Sequence, residues 1–347
     1  MLRACGHHLT DHRLTGSQEQ VVVVSASGRC MQGEGANAAC RIRAYVLCKR
    51  GGLVGLLIEA IILGVLTGGI YALMSCGLTL VFGVMDIINV GQGALVILGA
   101  YLSYVLERTL HIDLFVGLLL TMPAMFLLGI LISFIFRPIK RDRTMLSVLV
   151  TFGIALIIEG ALNLIFSANT VGLQGWYIDA SIPFAGFSTP FYIPYIYVFG
   201  FLLAVVLLAA LYLLLYLTRF GQSLRASIQN RSAAELIGID VERIASITFG
   251  IGVALAAAGG MAFGATTAFN ANSAYDLISR LLAIIVFGGM GSLSGALLAS
   301  VGMLVIESVS DVVLSPTWAT MIFYILLVLI LVFRPQGLLG QREGRQQ

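Results

Sequence analysis

From Ala60 to Phe333 the chain is a succession of runs without one charged residue: 60–85, 87–106, 114–136, 144–158, 160–178, 180–218, 244–275, 281–306 and 312–333. A helix needs about 20 apolar residues to cross the hydrocarbon core of a bilayer. Most of these runs meet that length, and 144–158 joins 160–178 across a single acid, Glu159. Of 347 residues, 59% are hydrophobic and 11% charged, against about 25% charged in soluble domains. That is too little charge to cover a surface facing water. The expected fold is therefore all-α, a polytopic transmembrane helical bundle with roughly 8–10 membrane segments. Glycine pairs inside the runs, Gly68-Gly69 and Gly288-Gly289, predict broken or re-entrant helices among them.

The basic residues give an orientation. Arg41, Arg43, Lys49 and Arg50 precede the first run, Arg137, Lys140, Arg141 and Arg143 share one short loop, Arg219, Arg225, Arg231 and Arg243 share another segment, and Arg334, Arg342 and Arg345 follow the last run. The positive-inside rule puts all four regions in the cytoplasm. Both termini are then cytoplasmic, which needs an even number of crossings. Arg108 and Arg280 fall at opposite-side turns. The stretch 169–195 holds no Lys or Arg, and with Pro183, Pro190 and Pro194 it reads as the exterior face. Glu307 and Asp311 read as a solvated helix end on that side.

Residues 1–52 lack sustained apolar periodicity and read as a disordered or non-native N-terminal extension, with a regulatory tail as the alternative. Residues 53–337 form the membrane domain and 338–347 a cytoplasmic tail. The cysteines, Cys5, Cys30, Cys40, Cys48 and Cys76, show no metal or redox spacing.

One polar segment interrupts the apolar pattern. Residues 219–243 carry four arginines and three acids between two charge-free runs. Within it, Ser232 to Glu235 has the spacing of a capping box, in which Ser232 and Glu235 satisfy each other's backbone N–H groups. Leu236 and Ile237 follow as an apolar tip, Gly238 is a helix-ending residue, and Asp240 can cap the next helix. The segment thus encodes a short, separately capped helix. It either docks on a partner through Leu236 and Ile237 or lies on the bilayer or its own bundle.

Chemistry-bearing motifs are missing. A phosphate-binding loop needs Gly-Lys-Ser/Thr, and Lys49 and Lys140 are each followed by Arg. The chain is not expected to be an enzyme, or to bind a metal, a cofactor or nucleic acid. Four polar residues inside the runs are candidates for a solute pathway. Asn89 and Gln92 are three apart, on one helical face, and Glu159 and Asn163 are four apart on another. Each pair can equally be structural, as interhelical amide bonding or as a paired acid. Gly288, Gly289 and Gly291 are a candidate hinge, or a site of close packing.

Three blocks, "GGIYALMSCGLTLVFGVMDIINVGQGALVILGAYLSY" (68–104), "RSAAELIGIDVERIASITFGIGVALAAAGG" (231–260) and "AIIVFGGMGSLSGALLASVGMLVIES" (283–308), resemble the membrane permeases of branched-chain amino acid ABC importers, the LivH/LivM type. The resemblance covers residues 55 to 337. It implies a permease subunit of the bacterial inner membrane that moves branched-chain or similar small amino acids, or amides such as urea, by alternating access. It implies that 232–238 is the coupling helix seated in an ATP-binding subunit. It also implies two such subunits using ATP and Mg, a second LivM-like permease or second copy, and an extracytoplasmic solute-binding protein docking near 169–195. One departure stands out. Where such permeases usually have His in the block at 89–93, this chain has Gln92, which bears on the substrate rather than on the fold. A ribose-type sugar permease is the alternative. An ion-coupled carrier or channel is a third, and ATP dependence against gradient dependence separates it from the first two.

Overall fold

The structure, a computed structural model, describes residues 36–136, 143–167, 169–173, 178, 180–184, 191–334 and 336–339. The chain divides into two units, Met1–Leu53 and Val54–Gln347. In the first, the described residues are helical from Ala36, inside the stretch read from sequence as an extension. The remainder of that stretch lies outside the described residues.

The described elements are α1 (Ala36–Met85), α2 (Gln92–Leu110), α3 (Leu114–Phe136), α4 (Arg143–Phe166), β1 (Ser181–Phe184), β2 (Phe191–Pro194), α5 (Tyr195–Leu217), α6 (Arg219–Gln229), α7 (Arg231–Leu236), α8 (Val241–Thr266), α9 (Ser273–Gly288), α10 (Leu293–Val313) and α11 (Pro316–Phe333). Among the described residues, 8 helices are long and apolar enough to cross a membrane. The protein is an all-α, multi-pass membrane bundle. Among the described residues the departures are the hairpin β1–β2, antiparallel with Ser181 opposite Pro194, and an isolated antiparallel bridge between Val171 and Phe269. Pro183 and Pro194 lack the N–H that a helix interior uses, which disfavours helix there, although α3 does hold Pro123 within its length.

α8 is the central helix, with buried residues on every side, and it packs against α2 and α3. Its small residues permit that: Gly252, Gly259, Gly260 and Gly264 all meet neighbouring helices at van der Waals distance or less. α1 packs on α10 through Gly64 and Gly68, where an added Cβ would lie 2.7 Å from the Cα atoms of Val305 and Val301 respectively. This is a small-xxx-small contact, in which two backbones approach closely in place of side-chain interdigitation.

The same contact fixes direction. α1 and α10 are antiparallel, so Gly55 lies at the end of the bundle where α10 finishes. At the other end, the backbone N–H groups of Leu338 and Leu339 donate to the carbonyls of Phe287 (2.8 Å) and Gly288 (3.0 Å), beside the α9–α10 turn. The apolar chain therefore enters and leaves its bundle at opposite ends. α9, with 16 residues, is not among the eight described helices of spanning length. It holds Arg280 within its length, so reading spans between charges divides α9 and merges its second half with α10. Arg280 is not at a turn, and Glu307 is not a solvated end. Arg280 Nη1 donates to both Glu307 oxygens, at 2.6 and 2.7 Å, with the side chains only 24% and 13% exposed. Charge compensation inside the bundle lets an arginine occupy a buried helix.

Candidate functional site

Two regions gather the candidate residues: a polar cassette at one end of the bundle, and a pair of chain breaks at mid-depth.

The cassette is α6, the short α7 and the start of α8. Thr218 caps α6, its side chain accepting from the Gly221 N–H at 3.1 Å. Arg225 ties α6 back to α5: Nη1 donates to the Leu215 carbonyl at 2.9 Å, and the guanidinium lies 4.9 Å from the Tyr216 ring centroid. Asn230 then serves two helices. Its N–H closes α6 on the Ala226 carbonyl, and its side-chain oxygen accepts from the Ala233 N–H at 3.0 Å to open α7. Here the structure corrects the sequence reading. Ser232 is not the cap; it is an exposed residue of the first turn of α7. Asn230 has the extended backbone that a cap requires, φ −155° and ψ 105°, whereas Ser232 is already helical. Glu235 does not reach back to a serine either; it pairs with Arg231 at 3.3 Å.

The other end of α7 follows the sequence. Gly238 has φ +87°, the left-handed region that favours glycine. The N–H of Ile239 donates to the Ala234 carbonyl (3.0 Å) and that of Gly238 to the Glu235 carbonyl (3.1 Å), the two bonds of a Schellman stop. Asp240 caps α8 by accepting from the Arg243 N–H at 3.0 Å. A six-residue helix is thus fixed at both ends. Ala234 is buried, while Leu236 and Ile237 are 89% and 74% exposed. A small hollow lined by Arg231, Glu242, Met85, Ser133 and Phe136 puts the cassette against the ends of α1 and α3.

The first chain break is 86–91. Asn89 lies in it and Gln92 is the first residue of α2, so the two are not on one helical face as expected. Both are buried and bonded: Asn89 Nδ2 donates to Gln92 Oε1 at 3.0 Å, and Gln92 Nε2 reaches the Gly252 carbonyl of α8 at 3.4 Å. The Val90 N–H donates to Thr151 Oγ1 of α4 at 3.2 Å. These bonds satisfy backbone that leaves the helical pattern inside the bundle, as irregular backbone at membrane depth requires. Gln92 thus links the start of α2 to α8, and Asn89 bonds to it.

The second break is 267–272, before α9. Glu159 of α4 is half-buried and accepts from Tyr275 Oη of α9 at 2.5 Å. Asn163 is half-buried too, one turn further along α4, and its Oδ1 has no hydrogen-bond donor among the described residues. Gly288, Gly289 and Gly291 form the α9–α10 turn, with Gly289 at φ +103° and Gly291 at φ +80°. Leu338 and Leu339 strap the turn from outside through the bonds described above. Ser292 caps α10, accepting from the Gly295 N–H at 3.1 Å. Among the described residues there is no group of His, Cys, Asp or Glu that could hold a metal.

Membrane-length helices around a small-residue core, with two polar chain breaks and a presented helix at one end, describe a polytopic membrane protein. Sequence comparison narrows this. The chain belongs to the family described as branched-chain amino acid transport system / permease component, whose profile matches residues 60–331. It is similar to the high-affinity branched-chain amino acid transport system permease protein LivH of Salmonella typhimurium, 26% identical over 297 residues that cover 81% of this chain and 94% of the relative. It is 30% identical to the probable branched-chain amino acid transport permease protein LivH of Methanocaldococcus jannaschii over 293 residues, 80% of this chain and 90% of that one. Similarity to the permease protein BraD of Pseudomonas aeruginosa is 25% over 303 residues, 82% and 96% of the two chains. No solved structure matches significantly.

Proposed function

We propose that the chain is the permease subunit of an ABC importer for branched-chain or similar small amino acids in the bacterial inner membrane. The observation that carries this reading, beyond family membership, is the helix α7. A six-residue helix with a cap at Asn230, a stop at Gly238 and two bare aliphatic side chains is built to be held against something. Leu236 and Ile237 project from a polar segment at the bundle end, where an apolar groove on another subunit would bury them. That subunit is an ATP-hydrolysing one, and ATP and Mg belong to it. Two copies, a second permease chain and an extracytoplasmic solute-binding protein complete the transporter. The α7 end then faces the cytoplasm, in keeping with Arg219, Arg225, Arg231 and Arg243, and the hairpin β1–β2 lies on the face that meets the binding protein. Motion enters through α7 and reaches α1 and α3 at the hollow beside Arg231.

The test is uptake by proteoliposomes holding the full chain with its partner subunits and binding protein. Leucine, isoleucine or valine should accumulate with internal ATP and should continue to do so when ionophores collapse the proton and sodium gradients. Uptake that follows a gradient and ignores ATP would overturn the reading.

A further inference from the structure

α9 starts in the middle of the bundle, not at its edge. Gln92 reaches Gly252, near the midpoint of α8. Its neighbour Gly93 lies on the first turn of α9, where an added Cβ would be 2.3 Å from the Ala274 carbonyl oxygen. The first turn of α9 is therefore at mid-depth, and so is Glu159, which Tyr275 holds.

From that point α9 is two-faced. Leu277, Ile278, Leu281 and Ile284 are buried in the chain's own core. Asn272, Tyr275, Asp276 and Ser279 are exposed. Their spacing of three, four and seven puts them on one stripe. Tyr275 is 43% exposed and still presents its hydroxyl to a carboxylate. Other outward faces are different in kind: Leu127 and Leu131 on α3, Val206 on α5 and Val328 on α11 are exposed and aliphatic. Ser279 donates to the Tyr275 carbonyl at 2.8 Å and Tyr275 to Glu159, but the Asn272 and Asp276 side chains make no hydrogen bond among the described residues. Acyl chains can solvate the second kind of face and not the first, because a polar group in hydrocarbon without a partner costs several kcal/mol (~4–8 for an amide or hydroxyl). The stripe also has a sign. It carries Asp276 and borders Glu159, while the arginine of the same helix, Arg280, is turned inward and paired with Glu307. Tyr275 engages Glu159 Oε2, and Oε1 has no hydrogen-bond donor among the described residues.

We propose that this stripe, with Glu159, is one wall of the water-filled solute path, and that Glu159 meets the cationic ammonium group of the solute there. Tyr275 is a positioning residue, fixing the carboxylate. The proposal rests on the amino acid permease reading above. A second permease chain closes the path on its open side, since a polar face at this depth must border water or protein and not lipid.

The experiment uses the assembled transporter with single cysteines, Ser279→Cys and, on the aliphatic face, Leu127→Cys, which replaces a residue 66% exposed. The native Cys76 is buried, and Cys5, Cys30, Cys40 and Cys48 are replaced by Ser in every chain, the blank included. A charged, membrane-impermeant methanethiosulfonate should modify Ser279→Cys and leave Leu127→Cys untouched, with the unsubstituted chain as the blank. Equal behaviour of the two cysteines overturns the wall. In parallel, Glu159→Gln should raise the KM for leucine uptake at least tenfold while membrane insertion and capture of the ATP-hydrolysing subunits stay at wild-type levels, and Glu159→Asp should recover part of the loss. An unchanged KM in Glu159→Gln overturns the ammonium contact. Labelling reads water access whatever the solute is. If Ser279→Cys labels as expected and the wild-type transporter carries no branched-chain amino acid, the wall stands and the substrate assignment falls.

Discussion

The correction at Asn230 yields the sharpest prediction. α7 has six residues, far below the ~12–15 at which an isolated helix becomes marginal in water. Its shape therefore depends on its two ends. Asn230→Ala removes the oxygen that holds the Ala233 N–H at 3.0 Å, a loss of about 1 kcal/mol. Gly238→Ala forces a Cβ onto a backbone at φ +87°, about 1–2 kcal/mol. With RT near 0.6 kcal/mol, 1 kcal/mol is a factor of about five in population. The conformation that presents Leu236 and Ile237 should fall about fivefold in Asn230→Ala and about five- to thirtyfold in Gly238→Ala. Ser232→Ala should change little, since Ser232 caps nothing. Leu236→Asp should abolish docking outright, because a charge would enter an apolar groove. The assay is capture of the ATP-hydrolysing subunits by the tagged full chain, read as apparent Kd, together with solute-stimulated ATP hydrolysis. Membrane insertion of each variant is the control. If Ser232→Ala weakens capture as much as Asn230→Ala, the cap has been placed wrongly. If Leu236→Asp assembles and transports normally, α7 is a surface loop and its role as a coupling element is lost.

Two further outcomes follow from the bundle interior. Glu307→Gln leaves Arg280 buried without its counter-charge, a loss of about 3–5 kcal/mol, and should lower the melting temperature of the purified chain; Glu307→Met with Arg280→Met should restore most of it, and a double variant no better than the single would refute the pairing. Gln92→Leu strands the Asn89 amide, at about 1–3 kcal/mol, and should be no worse for uptake than its melting temperature explains; a loss of transport at full stability would place Gln92 on the solute path.

Some of the site was legible in residue type and spacing. Gly238 and Asp240 act as a helix stop and a helix start because both jobs need only local backbone geometry and one side chain. Asn230 and Ser232 illustrate the limit. Both are capping residues two positions apart, and the choice between them is made by where α6 ends, which the Ala226 carbonyl decides. Glu159 was visible as an acid in an apolar run, but Tyr275 lies 116 positions away in sequence. No local pattern announces such a partner. Arg280 and Glu307 misled for the same reason. Read alone, each marks a span boundary; only their ion pair shows that both lie within helices.

The sequence by itself determined that this is a membrane bundle, because charge-free runs of spanning length admit no other solvent. It also determined that one polar cassette would stand apart, because caps and stops are local chemistry. The tertiary structure decided which ends of the bundle the chain enters and leaves, that Asn89 and Gln92 bind each other and α8, and that α9 begins at mid-depth with a polar face outward. Each of these depends on contacts between residues distant in sequence. In a chain whose helices are apolar nearly all round, hydrophobicity cannot rank one face over another. Direction and depth are set instead by where small residues let backbones touch, as Gly64 and Gly68 do on α10 and Gly93 does on α9.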